Sequence, residues 1–269
     1  EQIMKYILLI ATIAISFCLI SCDELVNTPA DEGAISIIGV LQTKGDIQYV
    51  KIYHLKNLVE NNKYDSLFVK DAEVKLIGDD FTENMTCERL FYESGDAGEY
   101  CYMTTNLMKN KILPEKTYKL YVKTGDVIVE GTTTIPGEFY FTSHKNQDTI
   151  CANQKYVFSW SKSANSYIYI FNLYIVSRFV HNGETYLISG EMRHIITRDT
   201  IVETVSPAKL DYEYDGRHYT ILYASAKVAA LDKNYYEHTY LMKDRVGLNN
   251  GYGCFSSAVV DTLRLYLKK

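Results

Sequence analysis

Two stretches of this sequence combine residue types and spacings that could do chemistry. One is the glycine-flanked thiol of Gly251-Tyr252-Gly253-Cys254; the other is the alternating acids of Asp211-Tyr212-Glu213-Tyr214-Asp215-Gly216. A thiol on a glycine-rich loop is a nucleophile only where its pKa is lowered or a base stands beside it. This loop lacks the Lys-Ser/Thr of a phosphate loop and opens no strand-helix-strand unit, so Cys254 reads as structural and its glycines as a bulge or turn. The acids alternate as in a calcium loop, but position 12 would be Leu222 where a bidentate carboxylate is needed. A solvated strand edge, with acids on one face and tyrosines on the other, is the better reading, and no metal site is expected. No Gly-x-Ser-x-Gly elbow or His-Glu-x-x-His pair occurs, and the six histidines are scattered. The expectation is therefore no enzyme and no cofactor.

Cys22 has a different setting. Lys5 precedes a nearly unbroken apolar run from Tyr6 to Phe17, which leads into Leu19-Ile20-Ser21-Cys22 and then Asp23-Glu24. A run of roughly 7 to 15 apolar residues is the core of a signal peptide and is short for a bilayer span. Leu19-Ile20-Ser21-Cys22 resembles the lipobox of bacterial lipoproteins. That resemblance implies a signal peptide over residues 1–21 and Cys22 as the lipidated N-terminus of the mature chain. An ordinary secretory signal and an uncleaved anchor are the alternatives. The lipid would make the membrane a partner and place the chain in a bacterial cell envelope, on the outer membrane and leaning toward the cell surface. Residues 22–33, polar with Asn27-Thr28-Pro29, read as a flexible tether.

Export permits disulfides among Cys87, Cys101, Cys151 and Cys254. Of the three possible pairings, Cys87 with Cys101 and Cys151 with Cys254 keep each bridge inside one expected domain. Four buried free thiols are the alternative. No Cys-x-x-Cys is present, so zinc is not indicated. The formal net charge is −5, Glu1 and Lys5 cancel on removal of the leader, and no basic cluster exceeds the closing Lys268-Lys269. A nucleic-acid partner is excluded on those grounds.

The elements that must hold these residues are strands. Tyrosine is abundant at 24 residues against 4 prolines, a composition that suits pleated surfaces. Ile35, Ile37 and Val40, then Ile47 to Leu55, form apolar runs broken by Lys44-Gly45-Asp46, a first hairpin. Ala72, Val74 and Leu76 alternate with Glu73 and Lys75; Tyr118, Leu120 and Val122 alternate with Lys119, Tyr121 and Lys123. Gly125-Asp126 turns into Val127-Ile128-Val129 and Thr132 to Thr134. This order of strand pieces, ending at Ile135-Pro136, resembles the transthyretin-like or carboxypeptidase-regulatory-like β-sandwich, and also the first domain of uncharacterised Bacteroidetes-type lipoproteins. A boundary is expected near residue 142, after Pro136-Gly137 and within the polar stretch Ser143 to Asp148.

Beyond it, Tyr156, Phe158 and Trp160 alternate with Val157, Ser159 and Ser161, and a polar turn leads into Tyr167 to Val176. That opening resembles a fibronectin type III domain, with Trp160 as a core residue. Asn182-Gly183 suits a hairpin turn, with strands at Thr185 to Leu187, Ile195 to Val205 and Tyr219 to Leu231. Ala224 to Tyr240 is ambiguous, since Ala226, Ala229 and Ala230 also support a helix, while Leu231 to Tyr236 resembles a late strand of such domains. The terminal Gly-x-Gly-x-Phe resembles a feature of the same lipoprotein family, and Leu263, Leu265 and Leu267 should close a sheet. The expected fold is all-β, with two immunoglobulin-like β-sandwiches in tandem, 34–142 and 143–269.

Tyr212, Tyr214, Tyr235 and Tyr236 lie beside polar residues and are candidate contact residues, because tyrosine presents a large, stiff surface to proteins and sugars. Packing within a sandwich explains them equally well. Asp65-Ser66-Leu67, Asp148-Thr149-Ile150, Asp199-Thr200-Ile201 and Asp261-Thr262-Leu263 resemble the O-glycosylation acceptor of Bacteroidetes-type bacteria. The first expectation for function is a non-enzymatic lipoprotein that binds an outer-membrane partner; the lipoprotein resemblance implies a transporter neighbourhood. The alternative is a surface carbohydrate-binding or glycan-processing protein.

Overall fold

The structure, a computed structural model, describes residues 33–43, 45, 47–55, 67–90, 99–104, 112–207 and 209–268. The leader, Cys22, all of the tether but Gly33, and the acceptor pair Asp65-Ser66 lie outside the described residues.

Period-two burial sets the elements. In the first half they are β1 (Ile35–Gln42), β2 (Tyr49–His54), β3 (Glu73–Ile77), β4 (Thr82–Leu90), β5 (Glu99–Thr104), β6 (Thr117–Thr124) and β7 (Val127–Thr134). In β6, Tyr118, Leu120 and Val122 are buried while Thr117, Lys119 and Lys123 face solvent. Then come β8 (Thr149–Cys151), β9 (Lys155–Ser159), β10 (Ile168–His181), β11 (Glu184–Thr197), β12 (Ile201–Val205), β13 (Asp211–Tyr214) and β14 (Arg217–Leu231). A short helix, α1 (Lys233–Thr239), precedes β15 (Arg245–Val246), β16 (Leu248–Asn249) and the long closing strand β17 (Tyr252–Lys268). At 65% strand and 4% helix, the fold is all-β, as the alternation predicts.

The main sheet runs β11-β10-β14-β17-β1-β2-β5-β4-β3-β6-β7-β16, and β9 pairs with β12 apart from it. Its hub is β17. Tyr252 to Ala258 pair in parallel with Ser36 to Gln42 of β1, and Ala258 to Leu265 pair antiparallel with β14. The strands before residue 142 are thus hydrogen-bonded to those after it, and one apolar cluster extends from Ile35 to Leu265. The stretch around the expected boundary is packed: Ile135, Phe139 and Phe141 are buried, and the Gly137 N–H donates to Ala164 O at 2.7 Å. Trp160 is a core residue as expected, edge-on to Phe141 at 6.2 Å and stacked on Phe171 at 6.2 Å.

Two local outcomes bear on the ambiguous segment Ala224 to Tyr240, the first resolving it as strand and the second differing from the reading of the sequence. The alanines of the ambiguous segment lie in β14, where Ala224, Ala226, Val228 and Ala230 are buried at every second position; burial against β17 overrides alanine's helix propensity. Leu231 to Tyr236, expected as a late strand, instead opens α1, because Asp232 ends the strand and its Oδ1 accepts from Tyr235 N at 2.9 Å as a helix N-cap. At the other end of this region Gly253 has φ +93°, and a Cβ there would be driven into the carbonyl oxygen of Ile37. Its N–H donates to Asp244 O at 2.6 Å, so β17 begins wedged between β1 and β15, with its register to β1 unbroken.

Candidate functional site

Two turns build the most exposed part of the sheet. Asn182 and Gly183, at φ +51° and +81°, join the 14-residue strands β10 and β11; Asp215 and Gly216, at φ +50° and +67°, join β13 to β14. Both registers bring aromatic residues opposite each other: Tyr186 faces Phe179, and Tyr212 faces Tyr219. The result is a row of rings across four strands. Tyr186 stacks on Phe179 at 5.2 Å, Phe179 meets Tyr219 at 5.0 Å, and Tyr219 stacks on Tyr212 at 5.0 Å with 6° between the planes. Each such pair is worth about 0.5–1.5 kcal/mol beyond its buried area, so the row stiffens an arm that little else supports. The Arg217 guanidinium lies 5.3 Å over the Phe179 ring, and the Tyr186 hydroxyl donates to Glu184 at 2.7 Å.

On this arm β11 is solvated at every position from Glu184 to Glu191, with Leu187 68% and Ile188 45% exposed. It is also the last strand of the sheet order, so its outer edge is unpaired among the described residues. The segment Thr185-Tyr186-Leu187-Ile188-Ser189-Gly190 holds neither a charge nor a proline. Edge strands are ordinarily blunted by such residues, because an open apolar edge is a template for pairing with another chain.

The four expected contact tyrosines do not form one surface. Tyr212 is half-buried in the aromatic row, and Tyr214 is 72% exposed near the β13–β14 turn. Tyr235 and Tyr236 lie on α1, past the other end of β14 and about 40 Å along it from Tyr219. There Tyr236 packs on Tyr167 at 4.9 Å and Tyr240 at 5.7 Å, beside a small apolar cluster containing Ile168, Leu231 and Ala258. Phe179, Tyr186 and Tyr219 escaped the reading of the sequence. Part of the signal was available, since counting outward from Asn182-Gly183 pairs Phe179 with Tyr186 and from Asp215-Gly216 pairs Tyr212 with Tyr219; the β10–β14 register joins the two pairs. Asp211 and Glu213 stand exposed on β13, with His218 Nε2 3.7 Å from Asp211 Oδ1; no group of three metal-ligating side chains occurs among the described residues.

Cys87, Cys101, Cys151 and Cys254 are free thiols, and the strand register explains why the preferred bridges do not form. Cys87 lies opposite Tyr102, and Cys101 opposite Glu88, so the two thiols occupy neighbouring rows and point to opposite faces of the sheet. Cys254 pairs with Ile38 at the start of β17, whereas Cys151 pairs with Lys268 at its end, about 45 Å away along an extended strand. Burial pushes the Cys254 thiol up to about 12, and it donates to Asn234 O at 3.5 Å; burial, with the nearby Cys87, pushes Cys101 up to about 11. Both thiols therefore stay protonated at neutral pH, the inert state of a structural cysteine.

One polar cluster has no counterpart in the reading of the sequence. Asp232 is buried, and its Oδ2 accepts from Thr133 Oγ1 at 2.5 Å and lies 3.3 Å from Ser257 Oγ, which donates to Thr134 O at 3.0 Å. Burial raises the Asp232 pKa above the ordinary carboxylate value, against the lowering effect of these hydrogen bonds. The cluster ties α1 to β7 and β17. No protein-family model matches the chain, and no curated protein matches it.

Proposed function

We propose that this chain is a non-enzymatic cell-envelope lipoprotein, held at the outer membrane through Cys22, that serves as a binding or accessory module for an outer-membrane protein such as a transporter. The observation that carries this reading is the open edge of β11, a 14-residue strand solvated over its first half and free of charge from Thr185 to Gly190. A partner strand added there would gain main-chain hydrogen bonds along its length, with Leu187 and Ile188 offering side-chain contacts. The aromatic row supports the arm behind that edge. The transthyretin-like and fibronectin III-like resemblances belong to the same reading; alternating burial in β6 and the buried Trp160 support them.

Cys22→Ala is expected to move the protein from the outer-membrane fraction to the soluble fraction, while the wild type stays membrane-bound and is removed from intact cells by added protease. Wild-type protein that survives on intact cells until they are lysed would place it on the periplasmic face. The double variant Leu187→Lys/Ile188→Lys alters only exposed side chains, and is expected to fold normally and lose the partner. A second reading, a surface carbohydrate binder, is favoured by a different observation: a hydroxyl-lined groove on the outer face of β10, β14 and β17, whose arginine has no carboxylate partner among the described residues.

A further inference from the structure

Alternation along β14 puts Ala224 and Ala226 into the core and Tyr223 and Ser225 on the opposite face. Along β17 it likewise buries Leu263 and Leu265 and exposes Thr262 and Arg264. Strand register then lines up Tyr174 of β10, Ser225 of β14 and Arg264 of β17 in one row. Ser225 is short and its neighbours are long, so the row sags in the middle into a groove of about 460 Å³. That volume lies within the usual range for small-molecule sites.

The groups around the groove differ from wall to wall. At the β17 wall the Arg264 guanidinium lies 4.4 Å over the Tyr223 ring, and no carboxylate pairs with it among the described residues. The backbone N–H of Arg264 donates to Asn146 Oδ1 at 2.9 Å, which fixes the amide at the rim. At the β11 wall the Tyr174 hydroxyl accepts from Asn172 Nδ2 at 3.1 Å, and Tyr174 stands opposite Glu191; burial together with the Glu191 charge raises the Tyr174 pKa. Three strand spacings, about 14 Å, separate Arg264 from Glu191; Ser225 and Tyr174 lie between, and Thr262 stands two residues from Arg264 along β17.

A stacked arginine with no acid beside it is built to receive one, and its planar fork matches a carboxylate in two parallel hydrogen bonds. Among the described residues Arg264 is the one cation lining the groove, with Lys227 in the next row, and a groove without a ring of backbone N–H groups suits a singly charged carboxylate better than a phosphate. The rest of the groove offers hydroxyls, an amide and tyrosine rings, the groups that exchange hydrogen bonds with sugar hydroxyls and cover a sugar face. We propose that this groove binds an acidic oligosaccharide, with a uronate-type carboxylate on Arg264 and ring hydroxyls on Ser225, Thr262 and Asn146. This rests on the carbohydrate-binding reading and is independent of the β11 edge, which belongs to the other reading.

The test uses the purified mature chain in calorimetric titrations with trigalacturonate and with its fully methyl-esterified form. The wild type is expected to bind the acid at least tenfold more tightly than the ester, and Arg264→Gln to abolish that preference while keeping the wild-type melting temperature. Ser225→Leu, which fills the floor, is expected to remove binding of both. Equal binding of acid and ester, or an acid affinity unchanged in Arg264→Gln, would overturn the charge-selective site and leave the carbohydrate reading standing. If neither saccharide binds the wild type, both fall.

Discussion

Gly253→Ala is expected to be the most damaging single substitution in the described chain, with a loss of more than 4 kcal/mol in denaturant unfolding or no folded protein at all. Two effects combine. A side chain at φ +93° carries a left-handed penalty of about 1–2 kcal/mol. The larger effect is steric, because the new methyl group would be driven into the Ile37 carbonyl, and backbone cannot swing away as a flexible side chain can. Relief requires separating β17 from β1, which share seven register positions from Ser36 to Gln42 and bury Ile37 and Phe255 between them and their neighbours. Gly183→Ala separates the two effects: at φ +81° a Cβ there meets nothing within 4 Å, so it should cost only the conformational part, about 1–2 kcal/mol. Similar losses for the two variants would mean that the close approach at Gly253 relaxes freely.

Asp232→Ala is expected to cost about 2–4 kcal/mol. Loss of the N-cap accounts for about 1 kcal/mol. The remainder, roughly 1–3 kcal/mol, comes from the hydrogen bonds that its carboxylate accepts from Thr133 and Ser257, partly recovered because Thr133 still donates to Ser257 and Ser257 to Thr134 O. Asp232→Asn should be far milder. Its oxygen still accepts from Tyr235 N, and its amide can donate to Thr133, which donates on to Ser257 at 3.0 Å, and Ser257 to Thr134 O. That chain is the one a protonated Asp232 would make. The pH dependence follows from the raised pKa of the folded state. Folding favours the protonated form, so the stabilising contribution is fully present below the ordinary carboxylate pKa. It is lost as pH climbs from there through the raised folded value, and then levels off. Asp232→Asn should remove this fall from the stability-pH curve, and a curve unchanged in the Asn variant would mean that another group causes it.

What could be read from the sequence was local. Asn182-Gly183 and Gly125-Asp126 announce hairpins because two residues suffice to set the turn, and Tyr118, Leu120 and Val122 announce a strand because burial repeats every second position. Trp160 was legible for the same reason. The parallel pairing of β1 with β17 was not, since no local signal specifies which strands meet across the length of the chain. The Cys151–Cys254 pairing fails on that point: sequence order kept the two together, while β17 sets them at opposite ends of one strand. The Asp232 cluster draws Thr133 and Ser257 from two other strands, so only the assembled sheet reveals it. Alanine left Ala224 to Tyr240 ambiguous, and the strand expected over Tyr219 to Leu231 forms because helix propensity is small beside the value of fitting a crowded sheet face.

The β10–β11 and β13–β14 arm stands between these cases. Its hairpins and its uncharged edge are written in consecutive residues, whereas its aromatic row appears only when both registers are laid side by side. The measurement that tests its role most directly is affinity purification from native outer membranes of the wild type and of Leu187→Lys/Ile188→Lys, each with its melting temperature recorded. One outer-membrane protein should be recovered in constant ratio with the wild type and be lost with the variant at unchanged melting temperature. Recovery of the same protein in the same ratio with the variant, or no such protein with the wild type, would contradict the proposal that the β11 edge is the docking surface.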